Sequence, residues 1–473
     1  MTNPSILWFR VDLRLSDNPA FQKAIELGKP IIPIYILDDD DANNRKLGDA
    51  SKWWLHNSLK SIYSELEKVG SKILFFKGNA EDVIKKIIEE TNADTVLWNR
   101  RYEPWAVKRD KSIKENLILK SKNVFSFNGS LLYEPWEIKS KIGNPLKVFT
   151  PFKRALLNKG VNFNVSKSPD TIQSPSLWPS SLDIDDLDLV KNKSWTDKFA
   201  KSWEPGSKTA KAKLIFFKEN NINNYNKDRD IPSVLGTSKL SPHLRFGEIS
   251  PKEIFFAIND LEENDGVLTY KSEIIWREFA HNLLWYFPDI HENPIKNEFS
   301  KFIWDNSQSN FDLWTKGMTG YPIVDAGMRE LWSTGWMHNR IRMVTASFLT
   351  KHLLLPWQMG EKWFWNTLLD ADPASNTSGW QWVSGSGADA APYFRIFNPI
   401  IQGQKFDPEG EYVKKFIPEL KDLPSKFIHE PWKADSALLK KSDIKLGETY
   451  PLPIVDHKYA RERALNKYAD IRN

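Results

Sequence analysis

Short apolar runs alternate with longer amphipathic segments along the first third of the chain. The runs are SILWFR, PIIPIYIL, KILFFK, DTVLW and NVFSF, and stretches such as DASKWWLHNSLKSIYSELEKVG separate them. This order is typical of a parallel sheet with helices on both faces. Ser16 or Asp17, shortly before Pro19, is the expected cap of the first helix. No GxGxxG motif follows the first run, so the pattern does not favour a dinucleotide site there.

The pattern changes towards the middle of the chain. Residues 166–189 are rich in Ser, Pro and Asp, as expected of a crossing between domains. Beyond Trp195, apolar residues recur at spacings of three and four in YKSEIIWREFAHNLLWYF and NRIRMVTASFLTKHLL, which predicts helices. We therefore expect a Rossmann-like α/β domain over residues 1–130, a connector over 131–195 and an all-α domain over 196–473.

Composition narrows the classes of function. A chain of 473 residues fits two domains. Its apolar runs are too short to span a bilayer, and Arg10 and Asp12 interrupt the N-terminus, so we expect a cytoplasmic protein. The lack of cysteine and the scatter of eight histidines predict no disulfide and no metal site. The 21 tryptophans are the outlier, and this side chain usually serves packing, stacking or π chemistry.

Two motifs of the helical half combine polar and aromatic residues on predicted helices. GTSKLSPHL, residues 236–244, is either an ordinary capped helix start or one whose amides hold a phosphate. In YKSEIIWREF, Glu273, Trp276 and Arg277 can share one helix face, either as a ligand site or as a surface ion pair beside a packed Trp.

Two further motifs have the same double interpretation. GWMHNRIRM places Asn339 and Met343 on one face of a helix, which can line a pocket or simply face solvent. LLDADPASN brings Asp370, Asp372 and Asn376 close to two tryptophans, which suits a heteroaromatic ligand or an Asp-rich turn. Together the four motifs indicate a buried cofactor more than a metal or a nucleophile.

Longer stretches that contain these motifs are similar to a known family. WFRVDLRLSDNPA, GTSKLSPHLRFGEIS, WREFAHNLLWYFP, TGWMHNRIRMVTASFL and GWQWVSGSGADAAPYFRIFNPIIQGQKFDPEG closely resemble the photolyase and cryptochrome family, specifically its class I cyclobutane pyrimidine dimer photolyases. The resemblance runs nearly end to end. It implies an antenna-type α/β domain, a long connector, and a helical domain that holds FAD in a folded conformation.

The implied activity is light-driven repair of cyclobutane pyrimidine dimers in double-stranded DNA by electron transfer from photoexcited reduced FAD. The resemblance implies cofactor contacts through the phosphates and ribityl chain of FAD from Tyr225, Arg229, Thr237, Ser238, Lys239, Leu240 and Ser241. It also implies that Asp370 and Asp372 meet the flavin and ribose, that Arg342 pairs with Asp370, and that Asn376 faces flavin N5.

Further roles on the substrate side follow from the same resemblance. Glu273 is expected to hydrogen-bond the flipped-out dimer bases, with Asn339 as a second polar contact, Met343 packed on the lesion, and Trp276 and Trp382 as aromatic walls. Trp304, Trp357 and Trp380 are expected to relay an electron inward to oxidised FAD. The expected contacts to the DNA backbone are Arg277, Arg340, Arg395, Gln402 and Lys405.

A cryptochrome-type light sensor is the nearest alternative. Asn376 and Trp382 disfavour it, as does the end of the chain at Asn473 without a signalling tail. Met343 replaces the histidine expected of a (6-4) photolyase, Trp382 disfavours the single-strand-preferring DASH subgroup, and Glu273 disfavours a binding-only flavoprotein.

The sequence does not specify the identity of the antenna chromophore. Trp105 and Ala106 replace the polar pair expected of folate binders, so a deazaflavin, folate, a second flavin or no pigment all remain. We expect a monomer with no membrane and no obligatory protein partner.

Overall fold

The structure is a computed structural model that describes residues 2–38, 45–190 and 194–472. Five strands form one sheet: β1 (Ser5–Phe9), β2 (Ile31–Leu37), β3 (Leu74–Lys77), β4 (Thr95–Asn99) and β5 (Asn123–Phe127). The order is β3-β2-β1-β4-β5, and every neighbouring pair is parallel. The five apolar runs of the sequence are these five strands, so the predicted parallel sheet is confirmed.

The central strands are buried along their whole length, as parallel strands covered by helices on both faces should be. Ile6, Trp8, Ile34, Val96 and Trp98 form part of this core, and the Trp8 and Trp98 rings meet edge to face at 5.9 Å. In contrast, β5 is only partly buried, in keeping with its place at the sheet edge. The alternating runs therefore specified both the strands and their burial.

Nineteen α-helices occur in the described residues, and a π-helical turn follows the thirteenth. The helices are α1 (Pro19–Glu26), α2 (Asp49–Lys68), α3 (Ala80–Thr91), α4 (Pro104–Leu119), α5 (Phe149–Lys159), α6 (Ser207–Asn220), α7 (Tyr225–Asp228), α8 (Ser241–Arg245), α9 (Pro251–Ile258), α10 (Asp265–Tyr286), α11 (Gln308–Thr315), α12 (Pro322–Thr334), α13 (Asn339–Ser347), α14 (Trp357–Thr367), α15 (Pro373–Ser384), α16 (Pro399–Phe406), α17 (Glu411–Phe416), α18 (Ser436–Lys441) and α19 (His457–Asp470). The π-helical turn is Phe348–His352.

The cap of α1 differs from the prediction. Asn18, not Ser16 or Asp17, accepts the amide of Phe21 at 3.1 Å. Pro19 occupies the first helical position, so the residue immediately before it must be the cap. The Ser16 and Asp17 side chains bond Glu253 and Ser250 and hold the α9 start against the sheet domain.

The chain divides into two compact units. The first comprises Met1–Asn220, Ser238–Pro288 and Leu369–Asp372, and the second Asn221–Thr237, Asp289–Leu368 and Pro373–Asn473. The first unit contains the sheet, and the second is helical, so the predicted α/β plus all-α class is confirmed. The predicted boundaries 1–130, 131–195 and 196–473 stay a prediction. None of the described helices is both long and apolar enough to cross a membrane.

Candidate functional site

The loop of residues 236–241 makes a tight turn before α8. Lys239 has φ of 50°, and a Cβ on Gly236 would come within 2.4 Å of the Asp228 carbonyl oxygen. Ser238 Oγ accepts the Tyr270 hydroxyl at 3.1 Å. Leu240 holds the cap position of α8, and its side chain offers no oxygen to the first-turn amides. A loop of hydroxyls, a lysine and helix-start amides can bind phosphate oxygens.

The acidic segment between α14 and α15 is held by buried polar contacts. Ser241 Oγ donates to Asp370 Oδ2 at 2.6 Å, and Arg245 Nε donates to the Ala371 carbonyl oxygen at 2.8 Å. Asp372 Oδ2 lies 3.5 Å from Nε2 of His281, whose pKa burial lowers. These contacts hold the carboxylates of Asp370 and Asp372 in place, and Asp370 lies next to Ser241 at the end of the 236–241 loop. One ligand could therefore meet both hydroxyl donors and carboxylate acceptors.

Helix α10 carries two of the predicted substrate residues. Glu273 and Trp276 are both half-buried, whereas Ile274 and Ile275 between them are buried. The Trp276 ring lies parallel to the Phe149 ring at 3.6 Å between centroids and 5° between planes. Trp276 is therefore one layer of a stacked pair, and no sequence pattern indicated its partner Phe149.

Arg277, a predicted DNA contact, is bonded to the last residue of the predicted α/β domain. Its Nη1 donates to the Ser130 carbonyl oxygen at 2.8 Å and lies 3.5 Å from Glu278 Oε1. Glu278 accepts the Leu132 amide at 2.8 Å, and burial raises its pKa to about 7. Contact between Arg277 and a DNA phosphate stays a prediction. In the structure, Arg277 links helix α10 to the backbone at Ser130.

Helix α13 begins at Asn339, which is exposed. His338 caps this helix, since its Nδ1 accepts the Arg340 amide at 3.2 Å. Arg340 Nη2 forms an ion pair with Asp230 Oδ1 at 2.7 Å, and its Nη1 lies 3.9 Å from Met343 Sδ. A predicted phosphate-binding arginine is thus already paired with a carboxylate.

Arg342 and Arg229, two further predicted cofactor residues, make contacts within the second unit. Arg342 Nε donates to the Met337 carbonyl oxygen at 2.7 Å. The Arg229 guanidinium lies 5.3 Å from the centre of the buried Tyr225 ring. The pairing of Arg342 with Asp370 stays a prediction.

Asn376 is oriented by a glutamate that the sequence analysis did not single out. Its Nδ2 donates to Glu361 Oε1 at 2.7 Å and to the Glu361 carbonyl oxygen at 3.1 Å. Thr377 Oγ1 donates to the same carboxylate oxygen at 3.3 Å. Because a carboxylate only accepts, the amide nitrogen of Asn376 points to Glu361 and its oxygen points elsewhere.

Trp380 and Trp382 differ in burial, as residues two apart on a helix should. Trp380 is 2% exposed and its ring meets Phe364 at 5.0 Å and Trp314 at 6.2 Å, whereas Trp382 is half-buried. A Cβ on Gly360 would come within 2.0 Å of the Trp380 ring, so α14 approaches α15 closely only because residue 360 is glycine. Trp357 is fully buried and Trp304 is half-buried.

The other predicted DNA contacts lie at and after the loop before α16. Arg395 and Lys405 are exposed, and Gln402 is half-buried. The buried Lys351 Nζ donates to the Arg395 carbonyl oxygen at 3.0 Å, which anchors the loop backbone. No group of three or more His, Asp and Glu residues placed to hold a metal ion occurs within residues 2–38, 45–190 and 194–472.

Comparison with known proteins identifies the family. Residues 5–171 match the family model described as DNA photolyase, and residues 270–470 match that described as the FAD binding domain of DNA photolyase. A deoxyribodipyrimidine photo-lyase of Agrobacterium fabrum is 48% identical over 100% of this chain and 98% of its own length. The chain belongs to the DNA photolyase and cryptochrome family.

Two more relatives mark the range of the family around this chain. Cryptochrome-2 of Arabidopsis thaliana is 38% identical over 98% of this chain and 78% of its own length. A crystal structure described as a bacterial class III photolyase from Agrobacterium tumefaciens superposes with a TM-score of 0.96 at 47% identity, covering 100% of this chain and 98% of that one.

The residues present fit the FAD of this family. The turn at Lys239 and the start of α8 offer donors suited to phosphates, and Asp370 and Asp372 offer acceptors suited to ribose hydroxyls and ring N–H groups. In the first unit, this set of donors and acceptors suits a dinucleotide better than a metal or a simple anion. In the second unit, the fixed amide of Asn376 offers one directed oxygen.

A second candidate binding region lies in the first unit, at the carboxyl ends of β1 and β2. A cleft there is lined by Trp8, Trp105 and several arginines. Arg109 lies 4.8 Å from the Trp8 ring centre and 5.2 Å from that of Trp105, and Arg101 lies 4.6 Å from Trp105. Indole faces of this kind suit a planar ligand.

The sequence analysis missed several residues that orient the predicted ones. They are Phe149, Asp230, Glu278 and Glu361. Glu278 gave a usable signal, because it is a charged residue among the apolar positions of α10. The other three lie far along the chain from their partners, so no helical spacing could connect them.

Proposed function

We propose that this protein repairs cyclobutane pyrimidine dimers in damaged double-stranded DNA, using light and reduced FAD. Reduced FAD, when bound, supplies light absorption and the single electron that opens the dimer. Tyr225, Arg229 and the hydroxyl and amide groups of residues 237–241 bind its phosphates and ribityl chain. Asp370, Asp372, Arg342 and Asn376 orient its ribose and ring.

The observation that carries the proposal is the burial pattern of α10. Glu273 and Trp276 keep part of their side chains accessible, while Ile274 and Ile275 anchor the helix. A carboxyl group one turn from an indole face can hydrogen-bond the edge of a base and stack on a neighbouring one. Stacking of this kind contributes about 1–3 kcal/mol per base.

Further contacts to a flipped-out lesion are proposed for residues of the second unit on the basis of the family resemblance. Asn339 supplies a second polar contact, Met343 packs against the lesion, and Trp382 is the second aromatic wall. Flipping costs a few kcal/mol, and least for a damaged base whose stacking is already weakened, so the lesion helps to select itself. Arg277, Arg340, Arg395, Gln402 and Lys405 contact backbone phosphates, and the protein acts as a cytoplasmic monomer without a protein partner.

Trp380, Trp357 and Trp304 form an electron relay that reduces oxidised FAD. The burial of Trp380 and Trp357 and the partial exposure of Trp304 support an inner-to-outer order. Buried indoles exclude water from the inner steps, and the outer indole can exchange an electron with a reductant in solution.

The photolyase class expected from the sequence is the one part of the family assignment without support. Class I was expected and is not confirmed. The solved structure that superposes with a TM-score of 0.96 is described as class III, and this likeness supports a class III assignment.

An antenna chromophore is proposed for the cleft at Trp8 and Trp105. The Trp8 and Trp105 rings favour a planar pigment. Arg101 and Arg109 stack on these rings, and their charges already pair with Glu103, Asp38 and Asp110. An absorption spectrum of protein purified from its native host, compared with a Trp105→Ala variant, tests this: a near-ultraviolet or blue band beyond that of FAD should disappear in the variant.

Blue-light sensing without repair is the second candidate, and the 38% identity to a plant cryptochrome favours it. The test of both is to load the protein with FAD, reduce it chemically, add duplex DNA that contains dimers, and count dimers after light and after dark. Repair requires loss of dimers in light only. Binding without loss of dimers would favour the sensor.

A matched pair of variants then tests Glu273. Glu273→Gln should lower the repair rate by about 10- to 100-fold, because a charged hydrogen bond contributes about 1.5–3 kcal/mol. Glu262→Gln, which removes an exposed carboxylate just before α10, should leave it unchanged.

A further inference from the structure

Helix α5 packs along α10, and Phe149 is its first residue. Downstream of Phe149, Lys153 Nζ donates to Ser272 Oγ at 2.6 Å. Upstream, the Leu146 carbonyl oxygen accepts Asn282 Nδ2 at 3.0 Å. The chain on both sides of Phe149 is thus fixed to α10, at points about 15 Å apart along that helix, since each residue rises by about 1.5 Å. Phe149 can therefore hold its ring in one place.

The Phe149 ring belongs to a group of four aromatic rings. It lies parallel to the Trp276 ring, and Phe279 makes T-shaped contacts with both, at 5.9 Å from Phe149 and 5.7 Å from Trp276. Phe152 packs on Phe279 at 5.3 Å, and both of these rings are 2% exposed. The two parallel rings are supported by buried phenyl rings, so neither can tilt without losing packed contacts.

The helical positions of α10 show which face of Trp276 the Phe149 ring covers. Successive residues of an α-helix are about 100° apart around its axis. Ser272 and Phe279, which contact α5, are therefore about 20° apart. Measured from Ser272, Trp276 lies about 40° and Glu273 about 100° in the direction away from Phe279. Phe149 thus covers the face of Trp276 that is turned towards α5. The opposite face is turned towards Glu273, and because Trp276 is only half-buried, that face is left for a ligand.

We propose that Phe149 is a positioning residue that gives this protein its preference for damaged over undamaged DNA, by holding the Trp276 ring ready for a flipped-out base. The inference rests on the proposed repair function, in which that base stacks on Trp276. Immobilising a side chain on binding costs free energy, and Phe149 removes this cost because the indole ring is already fixed before DNA arrives. The base, Trp276 and Phe149 then form three parallel layers.

The effect of Phe149 is confined to damaged DNA. Leaving the duplex costs an undamaged base more free energy than a base in a dimer. Undamaged DNA is therefore bound through its phosphates and does not stack on Trp276. A loosened Trp276 ring lowers the affinity for damaged DNA only, so the ratio of the two affinities reports on Phe149.

The test compares the dissociation constants, in the dark, of FAD-loaded protein for a duplex that contains one dimer and for the same duplex without it. In Phe149→Leu, a side chain of similar size replaces the flat ring, and the affinity for the dimer duplex should fall about tenfold, within the range that base stacking contributes. The affinity for undamaged duplex should stay unchanged. Phe149→Tyr keeps a flat ring and should keep the preference. Folding is preserved in both variants, because Phe152 and Leu156 anchor α5 in the core.

Two further measurements separate positioning from a general structural role. Phe149→Leu in a Trp276→Ala background should not lower the affinity for the dimer duplex further, because Phe149 acts through Trp276. With chemically reduced FAD, and with dimer duplex well above its dissociation constant, Phe149→Leu should repair as many dimers per light flash as the unsubstituted protein. Additive losses of affinity in the double variant, or a defect confined to saturating DNA, would overturn the role of Phe149.

Leu157→Ala is the matched control, since Leu157 lies on the same helix and is 40% exposed. Its preference for the dimer duplex should equal that of the unsubstituted protein. An unchanged preference in Phe149→Leu, when the unsubstituted protein prefers and repairs the dimer duplex, would overturn this inference alone. Equal affinity of the unsubstituted protein for both duplexes, with no loss of dimers in light, would overturn the proposed function and this inference with it.

Discussion

Glu361 fixes the side-chain amide of Asn376 through a 2.7 Å hydrogen bond from Nδ2 to Oε1. The backbone carbonyl of Glu361 accepts the same nitrogen at 3.1 Å, and Thr377 shares the carboxylate. Both acceptors on Glu361 bind the nitrogen of Asn376, so only one of the two amide orientations satisfies them. Asn376 therefore presents an oxygen acceptor of defined direction, which is what the proposed contact with flavin N5–H requires.

Removal of the Glu361 carboxylate should release this orientation. In Glu361→Ala we expect FAD affinity to fall roughly tenfold, because an unoriented amide forfeits about 1.4 kcal/mol of hydrogen-bond free energy. Titration of the apoprotein with FAD, followed by flavin fluorescence, measures the change. In Glu361→Gln the amide oxygen can still accept, so most of the affinity should remain; equal loss in both variants would contradict the orienting role.

Asp230 should limit the contribution of Arg340 to DNA binding. The two side chains form a 2.7 Å ion pair and are 20% and 29% exposed, so the pair must open before Arg340 meets a phosphate. Asp230→Asn should increase the affinity for dimer-containing duplex and steepen the plot of log K against log salt by about 0.9, the value for one added phosphate contact.

A salt titration of both proteins checks the Asp230 prediction. Asp312→Asn removes an exposed carboxylate elsewhere in the second unit and controls for net charge. Equal slopes for Asp230→Asn and the unsubstituted protein would show that Arg340 does not contact a phosphate.

The fold was readable from the sequence because its signals are local. Each strand is a short apolar run between helical segments, and Pro19 specifies the position of the α1 cap to within one or two residues. The wrong choice of capping residue shows the limit of such local signals. Three polar residues precede Pro19, and only the tertiary contacts of Ser16 and Asp17 with α9 decide which one caps the helix.

The site was readable only in part. Residues on one helix, such as Glu273 and Trp276, follow from spacing, and their roles follow from family resemblance. The residues that contact and orient them cannot be found by spacing. Phe149 is more than 120 residues from Trp276, and Asp230 is 110 residues from Arg340. Such contacts depend on how distant segments pack, which a periodic pattern does not encode.

Trp304→Phe should largely abolish light-driven reduction of FAD by an external thiol, because phenylalanine cannot be oxidised by a tryptophan radical. The chemically reduced variant should still repair dimers at the normal rate. Absorption of oxidised FAD under illumination measures the first property and dimer counting the second. Undiminished reduction of FAD in the variant would exclude the relay through Trp304. Trp314, whose ring contacts Trp380 at 6.2 Å, would then be the next candidate donor.

Lys351 should make stability depend on pH. It is 1% exposed, and burial lowers its pKa from 10.5 to about 7, with Arg395 adding to the effect. Below about pH 7 both the folded and the unfolded states bind the proton, so the cost of the buried charge is fully present. Between about pH 7 and 10.5 only the unfolded state binds it, so this residue makes the protein more stable as pH rises.

Lys351→Met removes the titration and should stabilise the fold most at low pH. We expect its gain in unfolding free energy to shrink by about 2 kcal/mol between about pH 7 and about pH 9, from the slope of 1.36 kcal/mol per pH unit and proton. Urea unfolding of both proteins at the two pH values measures this. Lys362→Met, which removes an exposed lysine on α14, should show no such trend. A gain that is independent of pH would mean that Lys351 keeps its proton in the folded state, with Nζ charged against the Arg395 carbonyl oxygen.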